Sequence, residues 1–203
     1  MFSEAKLLSL EGRVKCLMSE KRFSHTRAVA KMAVRLGELF MPERVPELSC
    51  AALLHDVAKE LPKEDLIRLM KESGFPFDDE DYLCFGILHS FAGAEVVKRN
   101  FPEFATHDVL NSVFYHTVGR GDMTLFEKII FISDYTEETR KYESCIKVRE
   151  ALLEGLSELS PELRLKRLDN ACLSAAEGTV KALVSSGQYI NSRIYDTINS
   201  LSC

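Results

Sequence analysis

The 203-residue sequence has no tryptophan, and its six cysteines, at positions 16, 50, 84, 145, 172 and 203, form no C-x-x-C pair. A zinc knuckle or dithiol redox motif built on paired cysteines is thereby excluded. Only ten glycines are present, and none belongs to a Gly-rich phosphate loop. No apolar stretch approaches the roughly 18 to 20 residues that a membrane span requires. Basic residues are in deficit, 26 against 31 acidic, for a net charge of −5. That balance argues against a broad nucleic-acid-binding face, so neither nucleic acid nor membrane is expected as a partner. A phosphate-bearing substrate would have to be held by metal cations and a few local basic residues. The first fifteen residues, MFSEAKLLSLEGRVK, carry charges inside their apolar pattern, unlike an export signal. The expected compartment is the cytoplasm, with the cysteines as buried reduced thiols and Cys203 exposed at the terminus.

What is present is helical periodicity. Apolar residues make up 46% of the chain, enough for a real core. Leu7, Leu10, Val14 and Leu17 form one stripe, and Val29, Met32, Ala33, Leu36 and Phe40 the next, with Ser24 as its cap. A third helix is expected over about 46–60, and another through Ile67 and Met70 up to Gly74. Two short helices should follow, at about 82–88 and 90–100, and then one from 107 to 117 that finishes at His116. Thr124 and Glu127 make a capping box, which assigns LFEKIIFISDYTEE to a helix despite its β-branched run. Ser160-Pro161 opens a long helix that Gly187 closes, and a short helix through Ile190, Ile194 and Ile198 follows. The expected fold is all-α, a single domain with a C-terminal helical extension over about 160–203.

Of the five histidines, His25, His55, His89 and His116 sit at helix ends or beside small residues. Each alone reads as an ordinary structural or surface histidine. The tandem His55-Asp56 does not, because an aspartate in AALLHDVAK is costly to bury without a strong partner. A divalent cation is such a partner, and imidazole with carboxylate suits iron, manganese or zinc. Helical spacing puts Lys59 on the face of both residues. At that spacing it could be a plain Asp–Lys pair worth a few tenths of a kcal/mol, or, beside a metal, a contact to phosphate. Asp134, flanked by Phe131, Ile132 and Tyr135, reads as partly buried and again asks for a cation. Arg120, Arg140, Lys141, Lys147 and Arg149 supply local positive charge.

His25, His55-Asp56 and Asp134, in that order on separate helices, match the HD-domain pattern of metal-dependent phosphohydrolases. The run FSHTRAVA, ALLHDVAK, LHSFAGA, YHTVGR, ISDY resembles the bacterial YqeK-type symmetrical diadenosine tetraphosphate hydrolases. The resemblance covers about residues 20–150 and implies an HD-type helical bundle. It implies that His25, His55, Asp56 and Asp134 bind iron, with another divalent metal such as manganese as the alternative. His89 and His116 would hold a second metal or touch phosphate, together with Thr117, and Lys59 would face the phosphate chain. Arg140, and with it Arg149, would contact nucleotide. The segment after Asp134-Tyr135 reads TEETRKYESC where the family has I-E-P-x-R-x-F-P-G-V, and His116-Thr117-Val118-Gly119 replaces H-T-T-G.

The implied reaction is hydrolysis of diadenosine tetraphosphate to two ADP by a metal-activated water, with Asp56 at its centre. Lys59, His89 and His116 remain open as the acid for the leaving group. The alternatives are an HD phosphohydrolase acting on a nucleoside monophosphate or on a cyclic or hyperphosphorylated guanine nucleotide, or a non-catalytic nucleotide sensor. A homodimer is compatible with the sequence. Glu137 and Glu138 fit poorly at the negative end of a helix, so the helix should break at 136–139 and return Arg140 over the site for a fork-like contact to phosphate.

Overall fold

The computed structural model describes residues 2–202, and Cys203 lies outside them. Ten α-helices and no strand are found among the described residues: α1 (Glu4–Lys15), α2 (Glu20–Phe40), α3 (Val45–Leu54), α4 (Lys63–Glu72), α5 (Phe85–Asn100), α6 (His107–Tyr115), α7 (Leu125–Thr136), α8 (Glu143–Leu153), α9 (Pro161–Ser185) and α10 (Arg193–Leu201). The all-α expectation holds. No described helix is long and apolar enough to cross a membrane. Cys50, Cys84, Cys145 and Cys172 are buried and unpaired, and Cys16 is exposed.

Several boundaries differ from the sequence expectation. Ser19, not Ser24, caps α2, its hydroxyl accepting from Arg22 N at 3.3 Å. Ser19 is fixed there by Glu60, whose carboxylate takes its backbone N–H and hydroxyl, each at 2.6 Å. α3 stops at Leu54, and tight i→i−3 turns carry the chain onward, Val57 N bonding Leu54 O and Lys59 N bonding Asp56 O. His55-Asp56 therefore ends a helix rather than lying inside one. Residues 85–100 form one helix instead of two. Its residues from Ile87 to Val97 are all buried, so it has no amphipathic period to read. Leu17 falls outside α1 and is exposed, and Ile190 precedes α10.

The core brings together the helix ends that matter. α2 packs on α3 and α7, α3 on α6 and α7, and α5 on α4 and α6. A Cβ added to Gly93 of α5 would lie 2.9 Å from Val113 of α6. A larger residue there would push against Val113, and the close approach of the two helices brings His89 and His116 edge to face, ring centroids 5.0 Å apart. Phe114 of α6 is stacked between Phe75 and Phe91 at 4.4 and 4.5 Å. Gly119, at φ +69°, turns the chain away directly after His116 and Thr117.

The C-terminal helices are tied back to this centre. α9 lies along α7 and α8. Buried Asp81, in the loop ahead of α5, accepts from Arg193 Nη2 at 2.9 Å and from Asn191 at 2.8 Å. Thr197 of α10 donates to the carbonyl of Val118 at 2.8 Å, securing the turn after His116. Replacing Arg193 with alanine leaves that buried carboxylate with Asn191 and the backbone N–H of Asp78, and should cost about 1.5–3 kcal/mol. Urea unfolding measures it, and an unchanged midpoint would mean that Asn191 and the Asp78 N–H satisfy Asp81 without the guanidinium.

Candidate metal centre

Five helices deliver ligand-type side chains to one point. His25 stands in the second turn of α2, His55 at the C-cap of α3, His89 in the second turn of α5, His116 at the C-cap of α6, and Asp134 in the last turn of α7. Asp56 follows His55 in the tight turn. All are buried except His25 and Asp134, which are partly so.

The hydrogen bonds behind the imidazoles orient them. His55 Nδ1 lies 2.7 Å from the carbonyl of Ala52, and His116 Nδ1 lies 2.8 Å from that of Val113. His25 Nδ1 lies 3.2 Å from Oε1 of Glu137, which is fully buried. Each of these partners only accepts, so each Nδ1 carries a hydrogen; His55 and His116 then turn an Nε2 lone pair inward, and His25 would do so once a metal displaced its second proton. His25 Nε2 lies 3.1 Å from Asp134 Oδ1 and 3.7 Å from Asp56 Oδ2; His55 Nε2 lies 3.4 Å from Asp56 Oδ2 and 3.9 Å from Asp134 Oδ1. Neither buried Nε2 makes a hydrogen bond. Ligands about 2.0–2.2 Å from a metal stand roughly 3–3.5 Å from one another, so these residues fit a dication. Ligand atoms of His25, His55 and Asp134 all fall within 4.8 Å of one another, as do those of His55, Asp56 and His116.

Asp56 joins two half-sites. Its Oδ2 faces His25 and His55, while its Oδ1 lies 3.1 Å from His89 Nε2 and 3.6 Å from His116 Nε2. His89 differs from the other three because Lys59 Nζ stands 3.2 Å from both its ring nitrogens. An ammonium only donates, so His89 Nδ1 accepts and Nε2–H points at Asp56 and His116.

Charge is balanced inside this cluster. Burial pushes the carboxyls of Asp56 and Asp134 up, but His55, His116 and His89 around Asp56, and Arg140, His25 and His55 around Asp134, prevail and hold both well below the usual range. Two guanidinium contacts reach the same carboxylates, Arg22 Nη1 at 2.7 Å from Asp56 Oδ2 and Arg140 Nη2 at 2.5 Å from Asp134 Oδ1. Burial pulls His25 down, but Asp134 and Glu137 raise it to about 9. Burial, with the charge of Lys59 beside it, pushes His89 down to about 3, and burial also lowers Lys59 and His116. Outside the cluster lies an open cleft of about 510 Å³ lined by Lys21, Arg22, His25, Arg140 and Lys141, among others.

The fold thus brings His25, His55, Asp56, Lys59, His89, His116 and Asp134 together. Thr117 is adjacent, its hydroxyl 3.0 Å from that of Ser90. The break after α7 falls where the paired glutamates imply: Thr136 ends the helix, Glu137 is extended, and Arg140 turns back. Its guanidinium is, however, held by the side chain and carbonyl of Asp134. Arg149 is turned to the carbonyls of Thr136 and Glu137, Arg120 pairs with Glu127, and Lys147 pairs with surface Glu143. Sequence reasoning missed Lys21, Arg22 and Glu137. Their spacing was the available signal, since Lys21 and Arg22 stand four and three residues before His25, and Glu137 three after Asp134.

The raised His25 gives a pH test. A pKa lifted from 6.5 to about 9 contributes stability that is fully present below pH 6.5 and is lost as pH rises through about 9. Melting curves in chelator should therefore fall across that window, and Glu137→Gln, which removes a charge holding the proton, should flatten the fall. Parallel curves for the two proteins would remove Glu137 from the account of His25.

Comparison with known proteins agrees with this geometry. A symmetrical bis(5'-nucleosyl)-tetraphosphatase of Halalkalibacterium halodurans is 35% identical over 138 residues, 67% of this chain and 71% of that one. The protein of the same name from Bacillus subtilis is 34% identical over 136 residues, covering 67% and 72%. A crystal structure from Clostridium acetobutylicum, described as a "predicted HD superfamily hydrolase involved in NAD metabolism", superposes with a TM-score of 0.77 at 30% identity, over 100% of this chain and 98% of that one. The HD-domain family model matches residues 22–139, a span that takes in His25, Asp134 and every ligand-type residue between them, and the chain accordingly belongs to the HD-domain family.

Proposed function

We propose that the chain hydrolyses bis(5'-nucleosyl) tetraphosphates symmetrically, diadenosine tetraphosphate and water giving two ADP. The observation that carries this is the pair of bare, buried Nε2 atoms of His25 and His55 converging with Asp56 Oδ2 and Asp134 Oδ1 beside a cation-lined cleft. The names of the two bacterial tetraphosphatases supply the substrate class.

His25, His55, Asp56 and Asp134 would hold iron, with manganese as the alternative, since imidazole and carboxylate without thiolate suit either. A dication there lowers the pKa of water and neutralises phosphate oxygens. The chain's own groups do the rest. Arg22, Arg140 and Lys141 bring positive charge to the phosphate chain, which a protein of net charge −5 does not supply elsewhere on this face. Asp56 accepts from His89 and so orients it, while His116 and Thr117 close the far side of the phosphate. As water's oxygen bonds to the second phosphorus, the bridging P–O bond breaks and the departing ADP oxygen takes a proton. Lys59 is its source: it is partly buried, its pKa is lowered, and it stands against His89. Arg149 contributes through the turn it fixes, by bonding the carbonyl of Glu137 at 2.8 Å. The reading takes the chain as one domain with residues 160–203 as its helical extension, acting in the cytoplasm on a soluble nucleotide.

A panel of nucleotides tests the reaction. The wild type should give ADP alone from diadenosine tetraphosphate, and Asp56→Ala should lower both bound metal and kcat by at least about 100-fold. ATP plus AMP as products, or turnover only of another nucleotide, would sink the assignment.

Metal analysis separates the two half-sites. His55→Ala should lose its metal, whereas His89→Ala should keep at least one equivalent while kcat falls about 10²- to 10⁴-fold. Loss of all metal from both variants would make the six residues one inseparable centre.

A further inference from the structure

Tyr142 is the most exposed large apolar side chain among the described residues, at 72%, and it stands on the wall of the cleft that holds His25, Arg22 and Arg140. Large aromatic rings left in water beside a functional cleft are sites at which a ligand replaces water. The Tyr142 hydroxyl makes no hydrogen bond among the described residues.

The ring is nonetheless carried on a fixed support. Its backbone carbonyl accepts from Ile146 N at 3.0 Å as α8 begins. The stretch before it is pinned by Arg140 on Asp134, by Glu137 on the backbone N–H and hydroxyl of Thr139, and by Arg149 on the carbonyl of Glu137. The cleft thus presents cations from Lys21, Arg22, Arg140 and Lys141, and among the described residues that line it Tyr142 carries the one six-membered aromatic ring, beside the imidazole of His25. A ligand matched to it carries negative charge and a flat π face joined through a short spacer, which describes a nucleotide. Base–aromatic stacking is tolerant of base identity because every base has a π face.

We infer that Tyr142 is the stacking platform for one nucleobase of the substrate, with the neighbouring cations taking that nucleotide's phosphates. This rests on the nucleotide-hydrolase reading above and adds where the base is held. It assigns the ring to binding, so the chemical step should not feel its loss. The ring also selects nucleotides over inorganic polyphosphate, which the cations alone would not do.

The test is calorimetric binding of ADP and of inorganic diphosphate to the metal-loaded wild type, Tyr142→Ala and Tyr142→Phe. Tyr142→Ala should weaken ADP by roughly 5- to 150-fold, the fold-change that one lost base–aromatic stack represents. Diphosphate should bind all three alike, and Tyr142→Phe should bind ADP like the wild type. In turnover, KM for diadenosine tetraphosphate should rise in Tyr142→Ala while kcat stays within about twofold. Unchanged ADP binding by Tyr142→Ala, or an equal loss of ADP and diphosphate, would overturn the platform. Failure of the wild type to form ADP from diadenosine tetraphosphate would instead overturn the reaction, and the contrast between ADP and diphosphate would still judge the ring.

Discussion

Two buried imidazole nitrogens and two carboxylate oxygens, all electron-pair donors, face one another within 4 Å. Such a group is unfavourable unless positive charge sits among or around it. The surrounding structure answers that constraint. Arg22 and Arg140 each take one carboxylate, Glu137 fixes the ring of His25, and the carbonyls of Ala52 and Val113 fix His55 and His116. The donors come from helix ends because ends can be aimed. α3, α6 and α7 all terminate at the centre; the free carbonyls of α3 and α6 orient rings, and those of α7 hold Arg140 and Arg149.

How far the sequence revealed this depends on whether each signal is local. The helix α7 was legible because Thr124 and Glu127 form a reciprocal cap next to each other in the chain, and both bonds are present. The break before Arg140 was legible because two adjacent glutamates oppose a helix C-terminus. The start of α2 was not, since Ser19 is chosen over Ser24 by Glu60, 41 residues away. Nor could the single helix through His89 be seen, because a helix buried on every side shows no period, and Ser90 bonds back to Ile87 without breaking it. The ligand residues were named through the resemblance, but the supporting shell of Arg22 and Glu137 was not, because its meaning lies in contacts across 34 and 112 residues.

The acidic chain resolves its charge problem by position. Its cations gather at the cleft, from Lys21 and Arg22 on α2 and from Arg140 and Lys141 beyond α7. Many carboxylates are committed elsewhere: Glu127 to Arg120, Glu95 to Arg99, and Asp169 to Lys128. An anionic ligand therefore meets a local field opposite in sign to the net charge.

The bonds from Thr197 to Val118 and from Arg193 and Asn191 to Asp81 have a temporal consequence. The loop ahead of His89 and the turn behind His116 are secured by residues that leave the ribosome about eighty to 110 positions later, at a synthesis rate of roughly 5–20 residues per second. For several seconds the nascent chain can hold His25, His55, Asp56 and Asp134 while the segments flanking the other two histidines lack their tether. The first half-site can thus exist before the second during biosynthesis, and cofactor delivery has a window in which one wall of the centre is still open.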